Sequence, residues 1–424
     1  MKPLYSLTCV EAASGIASGN ITSEALVESC LERIFSRESQ IKAWEYLDPE
    51  KALKEARILD RSPRKGLLHG VPVGIKDIID TCDMPTSYGS KIYAGYRSKW
   101  DAACVAMLRE AGAVILGKTV TTELALFTPG KTVNPHNPAH TPGGSSSGSA
   151  AAVADMMVPI ALGTQTAGST IRPASYCGVL GYKPTYGQFP VAGIKIFSQT
   201  LDTLGIFSRS IEDLALLRAV FVGSPASLKE LENAPSIGFC RTPQWPYATS
   251  ATSEALENTC KQMEKAGAKV SEFELPGIFT DLAEVQETIQ LFEGRRCYSY
   301  ELTQHRDRLS KKFLEIFLPE KEKTYNEYIK ALDLAAKCRA QLDALFKSYD
   351  ILLVPSTPGE APYGLESTGN PIFSRMWTLL HTPCITLPGY SGPNGLPVGV
   401  QVIGATGKDD KLLSAAAWIQ RRRK

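Results

Sequence analysis

Gly143-Gly144-Ser145-Ser146-Ser147-Gly148-Ser149-Ala150-Ala151-Ala152-Val153-Ala154 is the stretch whose reading decides the fold. Its first half is a loop of glycine and serine. Its second half, Ala150 to Ala154, has strong helix propensity. Before it, Thr128 to Pro142 is polar and carries four prolines, the pattern of a long irregular segment. After it, Met157 to Leu162 reads as a buried strand and Gly163 to Ser169 as a second loop of Gly, Thr and Ser. Upstream, Leu68 to Asp77 reads as a short apolar strand, broken by glycine and proline, that ends on the charged pair Lys76-Asp77. Ala102 to Ala111 is expected to be helical and Ala113 to Leu116 a buried strand.

Further out the pattern continues. Thr22-Ser23-Glu24 caps a helix to Arg37, and Pro49 to Leu59 forms a second. Ser210 to Val220, Ser253 to Ala266, Ala283 to Tyr300 and Tyr325 to Phe346 read as helices. Ile237 to Cys240, Lys269 to Leu275 and Ile351 to Pro355 read as strands. Strands alternating with helices imply an α/β fold, with a mainly parallel or mixed sheet covered by helices. No internal repeat, low-complexity segment or clear linker divides the 424 residues.

Composition excludes more than it assigns. Hydrophobic residues at 43% and charged residues at 21% suit an ordinary globular chain. A net charge of +2 gives no field that favours nucleic acid. The tail Arg421-Arg422-Arg423-Lys424 reads as a solvated helix end. Met1 to Cys9 lacks the pattern of a secretory signal, and no apolar run approaches the ~18 residues that span a membrane. Ten scattered cysteines without a CxxC pair read as the reduced thiols of a cytoplasmic protein. The five histidines form no HExxH and pair with no cysteine at zinc spacing, so neither a metal nor a cofactor is expected.

Two motifs mislead. Gly112 to Thr119 satisfies the phosphate-loop pattern, but its middle residues, Ala113-Val114-Ile115-Leu116, belong in a buried strand, and the segment before it looks helical. Gly144 to Gly148 fits a nucleophile elbow centred on Ser146. That elbow needs an apolar strand before it and a histidine after it. A proline-rich loop precedes it, and the later histidines are only His305 and His381. His136 and His140 read as turn residues.

The chemistry gathers elsewhere. Ser145 and Ser169 each sit in a glycine-containing loop beside regular structure. Glycine turns successive N–H groups toward a common cavity, the arrangement that stabilises the oxyanion of acyl transfer. A serine nucleophile needs a base. With histidine scarce, Lys76 at the end of an apolar strand is the candidate, since burial favours the neutral amine.

The stretch from Gly143 to Ala154 resembles the signature of the amidase signature family. The likeness continues through Gly163 to Ser169, Ile171-Arg172-Pro173-Ala174, Cys177-Gly178 and Gly181 to Thr185. Gly70 to Asp77 is similar to the family's lysine motif, Leu201-Asp202-Thr203-Leu204-Gly205 follows in place, and Ser145 and Ser169 stand at the family's spacing of 24 positions. The strong likeness runs from about residue 66 to 210 and returns weakly at Leu396 to Gly404. Residues 225–350 carry little of it.

The resemblance implies a single large α/β domain over residues 1–424, with a central twisted mixed sheet covered by helices on both faces. It makes Ser169 the nucleophile, places Ser145 after a cis peptide as the bridge from Ser169 to Lys76, and forms the oxyanion hole from the N–H groups of Thr166, Ala167, Gly168 and Ser169. Local wording, including Asn134-Pro135-His136-Asn137, Ser367-Thr368-Gly369 and Trp377-Thr378-Leu379, is most similar to bacterial malonamidases. That implies a small amide bearing a carboxylate, held by Arg172. Gly144, Tyr176 and Trp377 are the further substrate-binding candidates. Departures from the family's usual wording stand in the site: Gln165 for Asp, Ala167 for Gly, Ser147 for Gly, and the order Thr170-Ile171-Arg172-Pro173 in place of the commoner Ile-Arg-x-Pro. The expected partner is a small-molecule amide, without nucleic acid or membrane and with room for a homodimer. Rival readings are an aryl amide, carbamate or urea-derivative hydrolase, the subunit of a tRNA-dependent amidotransferase, and a silent binding protein.

Overall fold

The computed structural model describes residues 2–423. Within them the apolar runs join one sheet of eleven strands. These are β1 Trp44–Leu47, β2 Pro72–Lys76, β3 Val114–Thr119, β4 Ile160–Gln165, β5 Leu180–Lys183, β6 Thr203–Ser208, β7 Ser236–Cys240, β8 Lys269–Phe273, β9 Ile351–Pro355, β10 Cys384–Ser391 and β11 Pro397–Ile403. Their order is β1-β3-β2-β4-β6-β5-β10-β11-β9-β7-β8. The pairs β2–β3, β2–β4, β7–β8 and β7–β9 are parallel and the others antiparallel, so the sheet is mixed. Helices pack on both faces. The central strands are therefore buried on both sides, which is why β2 and the start of β4 read as apolar runs.

Several boundaries differ from the sequence expectation, each for a local reason. β4 starts three residues later than Met157 and runs on to Gln165, through half of the expected loop. The antiparallel partner β6 supplies the ladder that holds it extended, with Gly163 opposite Gly205 and Gln165 opposite Thr203. The helix expected from Ala150 begins at Ser147. Gly148 permits this, because a Cβ there would lie 2.2 Å from the Ala43 carbonyl oxygen and 2.3 Å from the Val120 nitrogen. The helix beginning at Leu282 ends at Cys297, before a short separate turn of helix, Ser299–Gln304.

The two misleading motifs resolve structurally. Val114–Thr119 is β3, and Lys118 is buried, donating to Ile79 O at 2.7 Å and Thr86 Oγ1 at 2.6 Å beside Asp77. Ser146 is the residue before a helix, with its hydroxyl on Thr164 O. His381 is taken up by Arg339, by Thr200 O and by stacking on Tyr186. His136 and His140 anchor the proline-rich segment to Cys177 O and Ala361 O. The basic tail needs a correction. Helix Asp409–Arg422 ends there, but Arg421 pairs with Glu212, Arg422 lies over Trp418 and Arg423 over Tyr390. Lys424 lies outside the described residues. No helix among the described residues is long and apolar enough to cross a membrane.

Candidate active site

Three neighbouring segments build the site. β2 ends on Lys76, fully buried at 0% exposure. The adjacent strand β4 delivers Thr164 and then the loop Thr166 to Thr170. The Gly143-Gly144-Ser145 loop enters the helix beginning at Ser147, with a cis peptide between Gly144 and Ser145. Lys76 Nζ lies 2.8 Å from Ser145 Oγ and 2.8 Å from Thr164 Oγ1. It forms no ion pair among the described residues. Burial pulls its pKa down to about 7, opposed by the charge of Asp202. Asp202 is also buried, which lifts its carboxyl to about 6. It accepts hydrogen bonds from Thr166 Oγ1 and from the N–H groups of Phe197 and Ser198.

The loop carrying Ser169 is pinned from below. Gln165 Oε1 accepts from the N–H groups of Thr170 and Ile171, and Gln165 Nε2 donates to Thr378 Oγ1 at 3.0 Å. Thr378 Oγ1 in turn donates to Ala167 O at 2.8 Å. Gly205 permits close packing here, because a Cβ would lie 2.3 Å from Thr170 Oγ1. With the carbonyl side pinned, the N–H groups of Thr166, Ala167, Gly168 and Ser169 donate to no described residue, whereas nearly all buried N–H groups in proteins are paired. Four adjacent donors are thus left without an acceptor among the described residues. Ala167 has no positive φ, so its Cβ brings no backbone strain. Gln165, for its part, is a scaffold beneath the loop.

Ser169, 9% exposed, lines a small cavity of about 280 Å³ including its mouth, with Ala125, Phe127, Phe197 and Pro371. Its hydroxyl donates to no described residue, Ser145 included. Arg172, 3% exposed, also lines this cavity. Its Nη2 donates to Gly144 O at 2.6 Å and Thr368 Oγ1 at 3.1 Å, while Nε and Nη1 are buried without a partner.

Two expected residues lie apart. Trp377 has no exposed surface and packs in an apolar core with Leu352, Leu379 and Cys384, so it does not line the cavity. Tyr176 lines a neighbouring cavity with Pro358 and Asn370, separate from that of Ser169. Gly144 serves through its carbonyl, which fixes Arg172. Sequence reasoning gave no role to Thr164, Asp202, Gln286 or Gln290, which all border the site. Hydroxyls and amides in a loop or on a helix carry no spacing signal, although Asp202 lies inside a quoted motif. A far larger depression, about 1510 Å³ with its open solvent, lies between residues 225–235 and the C-terminal helix. None of these residues lines it, so chemistry rather than size marks the site. Cys82, Asp83 and Asp101 form a further cluster of possible metal donors, but Lys51 and Arg109 already pair with its carboxylates.

The Amidase family model matches residues 25–413, including the region where the motifs fade. A glutamyl-tRNA(Gln) amidotransferase subunit from Agathobacter rectalis is 32% identical, with 99% of this chain and 94% of that protein aligned. A crystal structure of an amidase superposes with a TM-score of 0.91 at 30% identity, covering 99% of this chain and all of that one. Peptide amidase from Stenotrophomonas maltophilia gives 0.83 at 29% identity, covering 99% and 98%. The chain thus belongs to the amidase family, with the amidase signature, and is an amide hydrolase.

Proposed function

We propose that the chain hydrolyses a small amide bearing a carboxylate, through an acyl-enzyme on Ser169. The observation that carries this is the run of N–H groups from Thr166 to Ser169. They donate to no described residue, and Thr166, Ala167, Ser169 and Arg172 line one cavity. The substrate carbonyl oxygen sits among those N–H groups while Ser169 Oγ attacks the carbonyl carbon. Ser145 takes the proton of Ser169 and gives its own to Lys76 Nζ, whose pKa burial lowers to about 7, so that about half of it is neutral at pH 7. The proton returns through Ser145 to the nitrogen, which leaves as ammonia or an amine. Water then attacks the ester and gives a proton along the same route, which returns it to Ser169 Oγ as the acyl–oxygen bond breaks and the acid departs. The small cavity suits a short acyl group. The charge of Arg172, whose Nε and Nη1 have no partner among the described residues, suits a carboxylate, since hydrogen bonds between ionised groups are the strong ones.

A second reading has its own support. The curated relatives back an amidotransferase subunit better than they back a malonamate-like substrate. In that case the same hydrolysis serves a partner, to which the nitrogen passes. Against it, the alignment runs over 478 positions, more than the 424 residues here, so the relative has segments this chain lacks.

Ammonia release by the purified chain, without any partner, tests both. Malonamate is expected to be cleaved at least about tenfold faster than propionamide, since a hydrogen-bonded charge contributes roughly 1.5–3 kcal/mol. Ser169→Ala is expected to abolish release. No preference for the acid, or no loss of preference in Arg172→Ala, sinks the carboxylate reading. Silence on every small amide would favour the amidotransferase.

A further inference from the structure

Helix Leu282–Cys297 lies in a stretch whose wording carries no functional signal, yet through Gln290 it forms part of the wall of the Ser169 cavity. Gln290 is 2% exposed. The polarity of its amide is set from outside. Arg375 can only donate, and its Nη1 donates to Gln286 Oε1. A backbone carbonyl can only accept, and Thr166 O accepts from Gln286 Nε2 at 3.0 Å. Both constraints orient the Gln286 amide in the same sense. Its Nε2 also donates to Gln290 Oε1 at 2.9 Å. Gln290 therefore has its acceptor engaged, while its Nε2, with two N–H groups, donates to no described residue. The relay Arg375 to Gln286 to Gln290 ends as a donor at the cavity wall.

That donor joins Arg172, which lines the same cavity and whose Nε and Nη1 are buried without a partner among the described residues. Arg172 forms no ion pair among the described residues. The geometry points to Gln290 as a specificity-determining residue that shares the substrate carboxylate with Arg172, and so selects monoamides of dicarboxylic acids over the matching diamides. This rests on the reading that Arg172 takes a carboxylate. A carboxylate offers lone pairs on both oxygens and no hydrogen. A carboxamide in its place turns an NH₂ toward these donors and leaves one of them without an acceptor. Sites built of buried hydrogen-bonding groups discriminate by roughly a hundredfold or more against such analogues.

The test compares kcat/KM on malonamate, malonamide and propionamide for the wild type, Gln290→Leu and Gln290→Glu. The wild type is expected to prefer malonamate over malonamide by about a hundredfold. Gln290→Leu should lose roughly ten- to a hundredfold on malonamate, the scale of a hydrogen bond to a charged group, and change little on propionamide. Gln290→Glu still accepts from Gln286 but presents an oxygen where the N–H groups stood, so it should reverse the preference and favour malonamide. Equal losses on malonamate and propionamide in both variants would reduce Gln290 to a structural part and overturn the inference. So would an unchanged malonamate-to-malonamide ratio. If the wild type treats malonamate and propionamide alike, the carboxylate reading itself falls, before any variant is measured. If Arg172→Ala erases the preference for the acid and the Gln290 variants do not, only the inference about Gln290 fails.

Discussion

Lys76 is fully buried and has no ion pair among the described residues, and the pH dependence expected of activity and of stability follows from that. As the proposed base it must be neutral, so kcat/KM should rise about tenfold per pH unit below about 7 and level off above it. A flat profile from pH 5 to 8 on malonamate would exclude Lys76 as the titrating base. Stability should follow the same group. In the unfolded chain the amine titrates near 10.5, in the fold near 7, so the folded state carries the full cost of a buried ammonium below about 7. That cost shrinks as pH rises toward 10.5. Lys76→Met should therefore abolish activity yet stabilise the protein at pH 7 by up to a few kcal/mol, each pKa unit being about 1.4 kcal/mol. The difference in urea midpoint from wild type should narrow between pH 7 and 10, and a constant difference would contradict the assignment. Sequence motifs marked Lys76, Ser145 and Ser169 as a set because their spacing is long and specific. They did not mark Thr164, which touches Lys76, or Gln290, because a buried amide on a helix looks in sequence like any other inward position. Trp377 erred in the opposite direction: an aromatic residue in a quoted motif proved to be core.

Secondary structure positions the site through close backbone approach as much as through side chains. Helix Ser147–Ala154 starts where Gly148 lets it touch Ala43 and Val120, the residues flanking β1 and β3, with the Gly148 N–H donating to Val120 O at 3.0 Å. This is what places Ser145, two residues before the helix, over Lys76. Gly148→Ala would drive a Cβ into two backbone groups, neither of which can swing aside as a side chain could. It should destabilise by at least about 1–3 kcal/mol, the scale of an overpacked core, and lower kcat on malonamate as the helix backs away. Gly277→Ala is the control. A Cβ there meets nothing within 4 Å and the backbone is not left-handed, so stability should hold or rise by about 0.4–1 kcal/mol. Equal urea midpoints for the two variants would refute the packing argument. The strand pattern was readable because β2, β3 and β9 are dense apolar runs. The extension of β4 through Gly163-Thr164-Gln165 was not, because those residues look like a loop until β6 supplies the ladder.

Across the whole molecule, the open question is whether residues 225–350, where motif wording fades, form a body of their own. The packing argues that they do not. β7, within that segment, pairs with β9, which pairs with β11 and so joins the sheet that carries Lys76. Ala331 and Leu342 from helix Tyr325–Leu345 share one apolar core with Ile171, from the helix just after Ser169, and with Leu201 and Ile403. The Gln286 bond to Thr166 O ties the same segment to the loop that carries Ser169. Motif reading missed this because packing across a core demands apolar volume rather than particular residues, and volume leaves no spacing to recognise. Any opening of that segment would expose the shared core and release the Thr166 to Ser169 loop, so the two halves should unfold together. Differential scanning calorimetry is expected to give one endotherm, with calorimetric and van't Hoff enthalpies in agreement. Loss of ammonia release should coincide with it. A separate low-temperature transition that left activity intact would assign residues 225–350 to an independent unit and overturn the single-domain reading.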